Sequence, residues 1–130
     1  MSDTLENVSP FSPRKVGVLA KKLKSREMLS PLEKLMIYQS LSRHWRKHLK
    51  PNEYVVLSYI VDRSAGWGNG YFTACADNVL YGAGEYSGVG VSRTSYYRAL
   101  NKLEEIGAIS RVSLRDRTRI WLNVDWCAHD

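Results

Sequence analysis

The sequence predicts a mainly α-helical fold closed by a small β-hairpin, and three observations carry that expectation. Apolar residues recur at helical spacing in three segments, each opened by a recognisable start signal. Glycine- or proline-rich breaks separate those segments. After Gly107 the apolar period changes from about 3.6 to 2, the spacing of a strand.

Residues 1–29 contain Ser9-Pro10 and Ser12-Pro13 and no sustained apolar period, so they are expected to form a basic flexible arm. Ser30-Pro31-Leu32-Glu33 then offers an N-cap hydroxyl, a proline where its missing N–H costs nothing, and a glutamate that can reach back. Leu32, Leu35, Met36, Leu41, Trp45 and Leu49 continue that helix to Leu49, making an accessory helix over 30–49. Pro51-Asn52-Glu53 opens the next helix, whose Val56, Leu57, Ile60 and Val61 form one buried face.

Gly66-Trp67-Gly68-Asn69-Gly70 breaks the chain, and Tyr71-Phe72-Thr73 reads as a short extended piece. Thr73 is expected to cap a short helix from about Ala74 to Tyr81. The stretch 82–90 has glycine at 82, 84, 88 and 90 and must be a loop. Ser92 caps the following helix, which buries Tyr96, Leu100, Leu103 and Ile106 and ends at Gly107. Arg111–Leu114 and Thr118–Leu122 alternate apolar and polar residues. Folding them about Asp116 pairs Val112 with Ile120 and Leu114 with Thr118, leaving Arg111, Ser113, Arg119 and Trp121 on the other face. Helix, helix, helix, hairpin is the order of a winged helix-turn-helix, here with an extra N-terminal helix. The division expected is an arm over 1–29 and a domain over 30–130, with its core at 51–122 and a tail at 123–130.

Charge points to the class of partner. Of the net +6, residues 14–50 carry +9, residues 1–13 carry −2 and residues 51–130 carry −1. A basic block beside a near-neutral remainder fits a polyanion, with nucleic acid ahead of an acidic membrane surface. Nothing in the chain resembles a membrane span or a secretory leader. Cys75 and Cys127 are too few for a disulfide framework or a four-cysteine metal site, so two reduced thiols in a cytoplasmic protein are expected.

Catalytic constellations are not visible. His44 and His48 have metal-clamp spacing, but Arg43, Arg46 and Lys47 surround them and no third ligand is in view. The glycine loop has neither dinucleotide nor P-loop spacing. Tyr96 and Tyr97 lack the acidic or histidine cluster that a metal-dependent nicking tyrosine needs. Trp45, Trp67, Trp121 and Trp126 read as core or subunit-contact residues. Neither a cofactor nor a small-molecule ligand is expected.

The segment Gly90-Val91-Ser92-Arg93-Thr94-Ser95-Tyr96-Tyr97-Arg98-Ala99-Leu100-Asn101-Lys102-Leu103-Glu104-Glu105-Ile106-Gly107-Ala108-Ile109 resembles the recognition-helix signature of bacterial winged helix-turn-helix proteins. Upstream, Leu49–Leu57 followed by Arg63-Ser64-Ala65-Gly66-Trp67-Gly68 resembles the N-terminal DNA-binding domain of phage replication protein O and related phage and plasmid initiators. The resemblance covers about residues 49–122. It implies a sequence-specific double-stranded DNA-binding protein of a mobile element, acting as a transcriptional regulator or as an accessory factor at a replication or transfer origin. The origin-binding part of an initiator ranks second because the chain ends at Asp130. A protein-interaction module docking an acidic partner is the third reading.

The expected DNA-binding residues follow from helix geometry and charge. Ser92, Arg93, Thr94, Ser95, Tyr97, Arg98, Asn101 and Lys102 lie on the recognition helix, with arginine suited to guanine and asparagine to adenine. Arg115, Arg117 and Arg119 belong to the hairpin, and Arg14, Lys15, Lys21, Lys22, Lys24 and Arg26 to the arm. A homodimer is expected, because Leu35, Met36, Leu41 and Trp45 supply more apolar surface than one domain flank needs: part of the stripe packs on the helix at 51–64, and the remainder, with Trp126, is left for a two-fold contact.

Overall fold

The computed structural model describes residues 27–123; the basic arm residues Arg14 to Arg26, and Trp126 with Cys127, lie outside them. Helix α1 spans Pro31–Arg43, α2 Pro51–Ser64, α3 Ala76–Tyr81 and α4 Arg93–Glu105. Strands β1 (Tyr71–Ala74), β2 (Ile109–Ser113) and β3 (Thr118–Leu122) form one antiparallel sheet in the order β1-β3-β2. None of the helices among the described residues is long and apolar enough to cross a membrane.

Local chemistry sets most element ends. The Glu33 N–H donates to Ser30 Oγ at 3.1 Å and Glu33 Oε1 accepts from the Ser30 N–H at 2.9 Å, closing both ends of a capping box at the start of α1. At α2, Glu53 Oε1 accepts the Lys50 N–H at 3.0 Å, while Pro51 keeps Lys50 extended. The Ser95 N–H donates to Ser92 Oγ at 3.1 Å to open α4, and Gly107 follows that helix at φ 86°.

One core joins all the layers. Val56, Leu57, Ile60 and Val61 of α2 meet Tyr96, Ala99, Leu100 and Leu103 of α4, all buried. Phe72, Ile109, Ile120 and Leu122 close it from the sheet, and Ile37 and Leu41 from α1. The α2 face and the α4 face are thus as expected, apart from Ile106, which is only partly buried.

Several expectations are corrected. The first helix does not run to Leu49: it stops at Arg43, and Trp45–His48 form a 3-10 turn. A 3-10 turn is a common connector at a helix end, and this one leads to Pro51 at the start of α2. Its buried face is Ile37, Ser40 and Leu41, whereas Leu32, Leu35 and Met36 are 63%, 52% and 41% exposed. Thr73 is not a helix cap. It sits in β1, and Cys75 precedes α3. Trp67 is exposed rather than core, and Trp121 is half-buried on the outer sheet face, where its ring lies 4.6 Å from that of Tyr71. Residues 27–29 are pinned, not loose: the Leu29 N–H reaches Gly68 O at 2.8 Å and the Gly70 N–H reaches Glu27 O at 3.2 Å.

The hairpin register differs from the expectation by one residue. Arg111 faces Ile120, Val112 faces Arg119 and Ser113 faces Thr118. The Leu114 N–H donates to Arg117 O at 2.8 Å, so the chain reverses across Arg115-Asp116 rather than about Asp116. A one-residue slip moves side chains to the opposite face. Arg111 and Ser113 consequently share the side of Ile120, while Val112 is exposed and lies with Arg119 and Trp121.

Candidate nucleic-acid interface

Helix α4 buries one side and exposes the other. Tyr96 is enclosed so fully that burial pushes its hydroxyl pKa up to about 12. Ser92, Arg93, Thr94, Tyr97, Arg98, Asn101 and Lys102 are all exposed, and Ser95 is half-buried. Among the described residues Thr94, Arg98 and Lys102 have no hydrogen-bonded or ionic side-chain partner.

Other residues of the expected set are engaged. Ser92 Oγ is used by the cap. Arg93 Nη2 lies 2.6 Å from Asp77 Oδ1, which ties the start of α4 to α3 and raises the guanidinium pKa further. Asn101 Oδ1 accepts a bond from Arg111 Nη2 at 2.7 Å. Because arginine only donates, this leaves the Asn101 amide NH2 as the group turned away from Arg111.

Arg111 is the residue that sequence reasoning missed. Its Nε and Nη2 converge on Glu104 Oε1 at 3.0 and 2.7 Å, with the two side chains 23% and 27% exposed. One arginine therefore holds β2 against α4 and orients Asn101. The signal was present in the alternation of β2, but only the observed register turns Arg111 toward the helix.

The hairpin arginines do not act as one group. Arg115 and Arg117 stand exposed at the tip, with Arg117 Nε 3.7 Å from Asp116 Oδ1. Arg119 is separate from them: its Nε donates to Thr73 Oγ1 at 3.1 Å and its guanidinium lies 5.0 Å over the Tyr71 ring, on the outer sheet face.

The long turn between α3 and α4 has its own fastening. Arg63 of α2 stacks under Tyr86 at 4.4 Å and donates to Tyr59 Oη at 2.8 Å, and the Trp67 indole donates to the Tyr86 hydroxyl. Gly88 is required there, since a Cβ would fall 2.2 Å from Leu80 O. The Val89 N–H then reaches Val79 O at 2.9 Å, so the loop leads into α4 from a fixed point.

Beside α4 lies a groove of about 370 Å3, where Lys50, Asn52 and Glu53 at the start of α2 face Ser95 and Arg98. Among the described residues no three histidine, cysteine or acidic side chains gather as a metal site. No family model matches this chain, and neither does any curated protein or solved structure.

Proposed function

We propose that the chain is a winged helix-turn-helix protein that binds double-stranded DNA through α4, with the β2–β3 hairpin as its wing. The observation that carries this reading is the exposed, largely uncommitted face of α4 together with a hairpin that Arg111 clamps to the helix and whose tip exposes Arg115 and Arg117. The order α2, β1, α3, α4, β2, β3 and the sheet order β1-β3-β2 support the winged arrangement. A helix of this width fits the major groove, where Thr94, Tyr97 and Asn101 meet base edges and Arg115 and Arg117 meet the backbone. The basic residues between Arg14 and Arg26 add phosphate contacts. The resemblance to phage replication protein O domains directs the reading to an operator or origin of a mobile element. Two copies on one site bring their α1 helices together through Leu32, Leu35 and Met36, the exposed apolar residues of that helix.

Fluorescence anisotropy with a labelled random-sequence duplex tests the proposal. Affinity is expected to fall steeply as salt rises, and polyglutamate at equal charge to compete weakly. Competition by polyglutamate as strong as by unlabelled DNA would favour an acidic protein partner instead.

A further inference from the structure

We propose that the groove between α2 and α4 seats one backbone phosphate of duplex DNA, gripped from its two walls by Lys50 and Arg98; this rests on the duplex-DNA reading above. Lys50 immediately precedes α2 and Arg98 projects from the exposed side of α4, so two elements distant in sequence bring two cations to one concavity of about 370 Å3.

Both cations line the same groove, and among the described residues neither is held by another side chain. Arg63 is held by Tyr59, Arg93 by Asp77, Arg111 by Glu104 and Arg119 by Thr73. Lys50 and Arg98 have no side-chain partner of that kind among the described residues. Two like charges left facing one concave surface repel each other, and an anion placed between them turns that cost into attraction. Glu53 is the acidic residue lining the groove, and its Oε1 is already turned to the Lys50 N–H at 3.0 Å. Asn52 and Ser95 supply neutral donors on opposite walls. Pro51 opens α2, so the N–H groups of the next two residues have no carbonyl one turn back and also favour an anion.

The placement relative to base readout selects a DNA phosphate over a free anion. Arg98 shares the exposed face of α4 with Thr94 and Asn101, so a phosphate in the groove lies beside the bases that face would read. Arg98 then contributes affinity on every sequence, in place of the guanine readout expected of it.

Anisotropy on a random-sequence duplex across a salt series tests the clamp with the full 130-residue chain. The variants are Lys50→Gln, Arg98→Gln, their combination, and Lys47→Gln as a control of equal charge change on the exposed 3-10 turn. The double variant is expected to flatten the salt slope by about 0.9, the value of one phosphate contact, and to weaken binding roughly eightfold at 0.1 M salt, with each single variant losing part of that amount. Arg98→Lys is expected to keep the slope, since a phosphate contact needs the charge and not the guanidinium fork. Thermal melts of all variants are expected to match the wild type, because both side chains reach into solvent. Wild-type binding with groove variants no different from Lys47→Gln would overturn the clamp and leave the duplex reading intact. A wild-type chain that does not bind the duplex would overturn both. Inorganic phosphate is expected to compete no better than chloride at matched ionic strength; selective competition would make the groove a small-anion site and overturn the assignment to DNA.

Discussion

Replacing Arg111 with alanine removes the contact that joins the hairpin to α4. Two guanidinium N–H groups converge on Glu104 Oε1 at 3.0 and 2.7 Å, and a third bond reaches Asn101 at 2.7 Å. Charge-assisted bonds of this kind contribute about 1.5–3 kcal/mol when enclosed. Both side chains remain about a quarter exposed, at 23% and 27%, so solvent screening reduces the total. We expect Arg111→Ala to cost about 2 kcal/mol, which lowers Tm by roughly 8–16 °C in a folded unit of this size. Thermal melts followed by circular dichroism read the change. A double-mutant cycle with Glu104→Ala should return a coupling of about 1–2 kcal/mol. Arg117→Ala is the control, since its contact with Asp116 is 3.7 Å long and exposed, and it should move Tm by no more than about 2 °C. An Arg111→Ala protein that melts with Arg117→Ala would refute the clamp and the register that creates it.

The register also separates two apolar positions: Ile120→Ala should cost about 2–4 kcal/mol in urea unfolding, and Val112→Thr less than about 0.5, with equal losses contradicting the observed pairing. Tyr96 has a folded pKa near 12, above its ordinary value of 10.0, so the stability it contributes is complete below pH 10. That contribution is lost as pH rises toward 12, by up to about 2–3 kcal/mol, and unfolding curves of Tyr96→Phe should lack this fall. Light scattering at micromolar concentration should give a dimer of about twice the 14.9 kDa chain mass, reverting to monomer with Leu35→Glu; a monomer with and without DNA would dismiss the α1 contact.

Elements with chemically marked ends were legible in the sequence. Ser30 with Glu33, Pro51, and Ser92 with Gly107 each satisfy or terminate backbone groups in a way that neighbouring residues cannot imitate. The exposed side of α4 was legible for the same reason, because Tyr96, Leu100 and Leu103 fix which side is inward. Hairpin register was not. Alternation says which residues share a face of one strand, but the loop length decides which strand positions meet, and Arg115-Asp116 carries no glycine to announce a two-residue turn. The Arg111 clamp was hidden by that same ambiguity. In α1, apolar residues stand on two sides, and spacing alone favoured Leu32, Leu35 and Met36 over the buried Ile37. The Arg63–Tyr86 stack joins α2 to the glycine-rich loop across 23 positions of chain and leaves no local pattern.

Amide chemical-shift mapping on a 15N-labelled chain, titrated with a random-sequence duplex, locates the DNA-binding face residue by residue. The perturbed amides are expected to cluster on Thr94, Tyr97, Arg98, Asn101 and Lys102 and at Arg115–Arg117, while the Tyr71–Trp121 face of the sheet stays in place. Shifts that leave α4 untouched and gather on the outer sheet face would contradict DNA binding through α4.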